Sequence, residues 1–192
     1  MREKVTILLI LLVTLCQAEC PIECFCDEVS ICSGGKRLTL LPELHVSIPV
    51  ARLELHDFLV EHLTSTTFLR LVRNITELRL TNNPNLISFD NDTFSTGDQS
   101  EGLGPTGSGS SSSDNESEEL EGLLHLRTLD LSGNAFKYFV GGGRLKRLRV
   151  LDLSSNNLQQ VYHLQALSSL ESVNLRDNQL DVLQETLFQV RT

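Results

Sequence analysis

Apolar residues recur along this chain at a fixed period. Three segments toward the C-terminus align without gaps: LRTLDLSGNAF at 126–136, LRVLDLSSNNL at 148–158 and LESVNLRDNQL at 170–180. Their asparagines, Asn134, Asn156 and Asn178, fall 22 residues apart. Upstream, ITELRLTNNPNL at 75–86 has the same frame around Asn83, and VARLELHDFLV at 50–60 is a degenerate copy with Phe58 where the asparagine should stand. The apolar–polar–apolar alternation in each copy predicts a short strand, with its leucines on one face and the residues between them on the other. One copy alone cannot bury its apolar face. At least about three must stack, with covered ends.

After each strand the chain must turn sharply, which leaves backbone groups buried. A buried Asn amide offers two donors and an acceptor to its own turn and to its neighbours. Asn83, Asn134, Asn156 and Asn178 are therefore expected inside the stack as a structural ladder, with no catalytic role. Phe68, Phe94 and Phe188 follow their strands at similar offsets and are expected to pack the far wall.

A period of roughly 20–29 residues built on L-x-x-L-x-L-x-x-N-x-L is the leucine-rich repeat signature. The chain resembles that class. The resemblance implies an α/β-type leucine-rich repeat solenoid, with short parallel strands on a concave sheet, an irregular or 3-10 convex side and a cap at the N-terminal end. Repeats one and two would occupy 50–96, and repeats three to five 123–192.

Between them the period breaks. From Asn83 to Asn134 is 51 residues, about one repeat of 24 plus 27 extra. The excess, GDQSEGLGPTGSGSSSSDNESEELEG at 97–122, is rich in Ser and Gly and acidic toward its end. Too little apolar surface is available to order it, so a looped-out, disordered insertion is expected. GLGPTG at 102–107 matches G-x-G-x-x-G, but neither a strand nor a helix flanks it, which makes it a compositional coincidence.

The first residues decide the compartment. Arg2 and Lys4 precede an eleven-residue apolar run, Val5 to Leu15, and small side chains surround a cut after Ala18. This is the layout of a signal peptide over 1–18. The run would rise only about 16 Å as a helix, roughly half a bilayer core. No later segment is long and apolar enough to span a membrane. The mature chain is expected to be secreted, or on the extracellular face of the plasma membrane if the sequence is a piece of something longer.

Four cysteines, Cys20, Cys24, Cys26 and Cys32, then crowd into CPIECFCDEVSIC. In a secreted chain they read as two disulfides, with three pairings open. Zinc would want two separated pairs and free thiolates, so no metal is expected. This stretch, with LTLLPELHVSIPVARLEL after it, resembles the cysteine-rich N-terminal flank of extracellular leucine-rich repeat proteins. Slit-type ligands, small leucine-rich proteoglycans, the acid-labile-subunit type and Toll-type receptors share it. The resemblance implies a cap over 19–49 with the pairs Cys20–Cys26 and Cys24–Cys32.

Composition narrows the function. The 192 residues are 40% hydrophobic and 21% charged, without Trp, which excludes a wholly disordered chain, a collagen and a polytopic membrane protein. Net charge is −9, and removing a leader that carries +1 takes it to −10, which argues against nucleic acid as a partner. The five histidines are scattered, and no H-E-x-x-H, nucleophile elbow, P-loop or acid pair appears. No catalytic residue, cofactor or small-molecule substrate is expected.

What remains is surface. Asn74, Asn91 and Asn115 open N-glycosylation sequons outside the strands. The outward strand positions form columns across the copies: Arg52, Glu77, Thr128, Val150, Ser172; then Glu54, Arg79, Asp130, Asp152, Asn174; then His56, Thr81, Ser132, Ser154, Arg176. These residues do not build the core, so they are the candidates to bind an extracellular protein ligand, and the aligned Asp130 and Asp152 favour a basic partner. One alternative is the N-terminal ectodomain of a Toll-like or other transmembrane signalling receptor, since no second cysteine cluster precedes Thr192. Another is a matrix protein binding collagen or glycosaminoglycan, for which Ser108-Gly109 and the basic RLKRLR at 144–149 would matter. Such a basic run more often solvates the turn into a strand.

Overall fold

The computed structural model describes residues 20–27, 29–42, 51–64, 67, 75–89 and 125–181. The segments expected to be a leader, 1–18, and an insertion, 97–122, the three sequon asparagines and Phe68, Phe94 and Phe188 lie outside the described residues.

The cysteine-rich segment forms a hairpin of β1 (Cys24–Cys26) and β2 (Val29–Ser33). Each repeat then supplies a concave strand followed by a shorter convex one. These are β3 (Arg52–His56) and β4 (His62–Leu63), β5 (Glu77–Thr81) and β6 (Ser88–Phe89), β7 (Thr128–Asp130) and β8 (Tyr138–Val140), and β9 (Val150–Asp152) and β10 (Gln160–Tyr162). A last concave strand, β11 (Ser172–Asn174), completes the described sheet, which has seven strands in the order β1-β2-β3-β5-β7-β9-β11. From β2 onward all pairs are parallel, and only β1 runs antiparallel to its neighbour.

Register follows the repeat. Leu53, Leu78, Leu129, Leu151 and Val173 oppose one another across the sheet. With Leu55, Leu80, Leu131 and Leu153 they line the core, and these eight leucines are at most 2% exposed. Burying each contributes roughly 1.5–3 kcal/mol, which is why an almost purely aliphatic interior suffices. The far wall comes from Leu63, Phe139 and Val161 on the convex strands and from Phe89, whose ring stacks on Phe136 with centroids 5.2 Å apart. Single 3-10 turns, Gly143–Leu145 and Leu164–Ala166, lead from the convex side back to the sheet.

The cap belongs to the same sheet. Disulfides join Cys20 to Cys26 and Cys24 to Cys32. Cys32 is fully buried and opposes Leu55, so the second bridge is the end layer of the leucine core. Where β2 hands over to β3, Gly34 lies against main chain: a methyl there would stand 2.7 Å from the Asp57 carbonyl oxygen.

β5 and β7 are direct neighbours, with Glu77 opposite Thr128, although 51 residues separate their asparagines. The Asn83 N–H donates to Asn134 Oδ1 at 2.9 Å and the Ala135 N–H to the Leu86 carbonyl at 2.9 Å, so the two coils stack as any adjacent pair does.

Candidate recognition surface

The asparagines form a continuous hydrogen-bonded ladder. The Oδ1 atoms of Asn83, Asn134, Asn156 and Asn178 accept the N–H groups of Phe58, Asn83, Phe136 and Leu158, each from the preceding coil, at 2.9–3.1 Å. Their Nδ2 atoms donate both to the preceding coil and within their own. Asn134 reaches the Leu80 and Leu131 carbonyls, Asn156 those of Leu131 and Leu153, and Asn178 those of Leu153 and Leu175. Asn83, Asn134 and Asn156 are buried, and Asn178 is half-buried. Phe58, at the asparagine position of the first copy, is fully buried, and its N–H is satisfied by Asn83.

On the outer face of the sheet, register assembles the predicted columns into rows. One row runs Glu54, Arg79, Asp130, Asp152, Asn174; its neighbour runs Arg52, Glu77, Thr128, Val150, Ser172. The third column does not continue as strand. β3 and β5 include His56 and Thr81, whereas β7, β9 and β11 stop two residues short of Ser132, Ser154 and Arg176. The cause is local: Asp130, Asp152 and Asn174 each accept, on Oδ1, the N–H of the residue two positions on. That closes an Asx turn and ends the strand. These three outward side chains therefore build the turn as well as facing solvent.

Charges at the first two coils are largely matched. Arg52 donates Nε–H to Glu77, and Arg79 lies 3.4 Å from Glu54. The hydrogen bond from Arg52 holds the Glu77 carboxyl below its ordinary value, against the opposing effect of burial. Arg79 Nε is buried without an acceptor among the described residues. His56 Nδ1 sits 2.9 Å from Asp57 Oδ2. Farther along, burial pushes the Asp152 carboxyl up, but bonds from the Ser154 hydroxyl and N–H and the Asn174 amide outweigh it and leave the carboxyl below its ordinary value. The surface thus changes along its length, from paired ions at β3 and β5 to the unbalanced carboxylates Asp130 and Asp152.

Two residues extend this surface that the repeat frame did not single out. Ile31 opposes Glu54, and Phe25 opposes Ile31. Both face outward, Phe25 69% and Ile31 38% exposed. The row therefore reads Phe25, Ile31, Glu54, Arg79, Asp130, Asp152, Asn174, apolar at one end and acidic toward the other. The C-F-C and V-S-I-C-S alternation around buried Ser30 and Cys32 was the available signal, but the cap does not share the repeat's spacing, so the columns stopped at Arg52.

No group of three or more His, Cys, Asp or Glu that could hold a metal ion occurs among the described residues. In the basic turn, Leu145 and Leu148 are buried while Lys146, Arg147 and Arg149 are exposed.

Residues 122–137 match a family model described as Leucine Rich repeat, and 147–167 a second described as Leucine Rich Repeat. The chain carries leucine-rich repeats, which generally act as protein–protein interaction modules. Over 59 residues it is 42% identical to Leucine-rich repeat and WD repeat-containing protein 1 of Danio rerio. That stretch is 31% of this chain and 8% of the relative, so the chain spans under a tenth of the length of the protein it matches.

Proposed function

We propose that the chain is a secreted or cell-surface recognition module whose concave sheet binds a protein partner. The partner offers an apolar group to Phe25 and Ile31 and a basic group to Asp130 and Asp152. The observation that carries this reading is the single registered row joining those residues. Five strand steps separate Phe25 from Asp152, about 24 Å at the usual spacing, a span suited to a folded partner or an extended segment. Leucines explain why the sheet exists, and the outward residues explain what it discriminates. Location rests on two features: the leader at 1–18, and two disulfides of the kind that persist in oxidising compartments. The cap resembles the flank of extracellular relatives in the same two pairings. The carbohydrate acceptors Asn74, Asn91 and Asn115 belong to this reading.

The test expresses the chain with its own leader in secretory cells. Product should reach the medium beginning at Glu19 and lose mass when N-glycans are enzymatically removed. Retention inside the cell in unprocessed form would overturn the location. Binding of the purified product to cell surfaces should fall at least about tenfold, or about 1.4 kcal/mol, on Asp130→Asn with Asp152→Asn. Asn is the appropriate replacement because Asn174 already closes the equivalent turn, so charge is removed and the fold kept. Phe25→Ala with Ile31→Ala should act likewise, and Lys137→Ala on the convex side should not. Equal loss at all three would move the site off the sheet.

A further inference from the structure

We propose that the basic turn at 144–149 is a second binding site, separate from the sheet, and that its ligand is a segment of sulfated polysaccharide. The inference rests on the extracellular part of the reading above and not on the concave site.

The turn is preorganised. Leu145 and Leu148 anchor it in the core, and main-chain bonds from Leu145 to the Gly142 carbonyl and from Leu148 to the Leu145 carbonyl fix its path. Lys146 and Arg147, between the anchors, are thereby held outward, and both are exposed. The preceding coil supplies another cation. The Arg149 N–H donates to the Arg127 carbonyl at 2.8 Å, so these two exposed arginines sit at equivalent positions on adjacent coils. Their main chains are one strand spacing apart, about 4.8 Å.

Little among the described residues neutralises this group. Glu171 approaches Arg149 at 3.3 Å, but both side chains are more than half exposed, and such a pair is worth about 0–1 kcal/mol. Arg144 is half-buried, with an Nε that has no acceptor among the described residues. The following coil meets the turn through the Ser168 hydroxyl, 3.5 Å from the Lys146 carbonyl, and its Gln165, Ser168 and Ser169 are uncharged.

The ligand class follows from what surrounds these cations. They are a local feature of a chain whose net charge is −9. A rigid duplex would bring its phosphates across acidic surface as well, whereas a flexible chain with closely spaced sulfates can engage the turn alone. Binding of single-stranded nucleic acid relies on aromatic platforms for its bases. Residues 144–149 and the flanking 125–127 and 166–171 contain no Phe, Tyr or Trp. Sulfate needs only charged N–H donors, which the exposed Lys146, Arg147, Arg127 and Arg149 supply.

The experiment titrates the full chain with a heparin-derived octasaccharide by calorimetry over a series of salt concentrations. Wild type should bind, and Lys146→Gln with Arg147→Gln should weaken binding at least tenfold. The slope of log affinity on log salt should fall by about one for each cation removed. Both substituted side chains are exposed, and an unchanged urea midpoint will show that the fold survives. Arg127→Gln with Arg149→Gln should give a similar loss. An unsulfated octasaccharide should not bind. Three results would each overturn the proposal: no binding by wild type, affinity unchanged in both double variants, or equal affinity for a single-stranded oligonucleotide of matched charge. Asp130→Asn with Asp152→Asn should leave octasaccharide binding intact, so failure of the concave site and failure of this one are read separately. Secretion is scored independently of both.

Discussion

The asparagine ladder makes a quantitative prediction because its rungs share carbonyls. Asn156→Ala removes the acceptor of the Phe136 N–H and three donor contacts, to the Leu131, Leu153 and Ser154 carbonyls. Leu131 keeps a donor from Asn134 at 2.7 Å, Leu153 keeps Asn178 at 2.8 Å, and the Ser154 carbonyl keeps the Gly133 N–H. What the substitution strands is chiefly one buried N–H, on a residue 1% exposed. The expected cost is about 1–3 kcal/mol. Asn134→Ala strands the Asn83 N–H in the same way, at a similar cost. In the double variant the Leu131 carbonyl loses both of its amide donors, so the loss should exceed the sum of the singles by about 1 kcal/mol. Asn83 and Asn178 share no carbonyl, and their double variant should add to within about 0.5 kcal/mol. Urea denaturation followed by far-UV circular dichroism is the assay, since the chain has no Trp. Additivity of the Asn134 and Asn156 pair, or single costs below about 0.5 kcal/mol, would refute the account of shared, buried backbone groups.

Other outcomes follow from the same geometry. Gly34→Ala would place a methyl 2.7 Å from the Asp57 carbonyl oxygen and 2.8 Å from Phe58 Cα, main-chain atoms that cannot step aside, and thermal denaturation should show a loss of several degrees. Replacing Cys24 and Cys32 together by Ser opens a loop of separation 8 and should cost about 2–3 kcal/mol by chain entropy. The cost should exceed that of the Cys20 and Cys26 pair, because Cys32 is a core residue; equal costs would contradict its place in the leucine core. Acid should also destabilise the fold. Glu77 and Asp152 titrate below their ordinary values of 4.5 and 3.8, so the unfolded chain takes up their protons first. Their contribution is complete above those values and drains as pH falls through the lower folded-state values. Urea midpoints measured downward from pH 5 should fall, and less steeply in Asp152→Asn.

Much of the fold was legible because one spacing repeats. The position of Leu129 over Leu151 follows from counting 22, and the order of the rungs and the outward rows follows from aligning the shared repeat frame. The cap obeys no such count, so Phe25 and Ile31 escaped the columns although they occupy the same row. The ends of β7, β9 and β11 were hidden for a different reason. An outward Asp before Leu-Ser fits a strand and an Asx turn equally well, and only the carboxylate's hydrogen bond decides between them. The charge pairs were half visible: columns set Arg52 beside Glu77 and Glu54 beside Arg79. Closure of those side chains on one another is a matter of rotamers, which spacing does not encode.

In the function proposed above, the concave sheet, and not the convex wall, meets a protein partner. A photoreactive phenylalanine analogue placed at Phe25, at Val150 on β9 or at Lys137 beside β8 tests it directly on the surface of cells that bind the chain. Adducts to one and the same protein are expected from Phe25 and Val150 and none from Lys137, with both adducts lost when Asp130 and Asp152 are Asn. Adducts from Lys137 alone, or adducts indifferent to those two carboxylates, would contradict it.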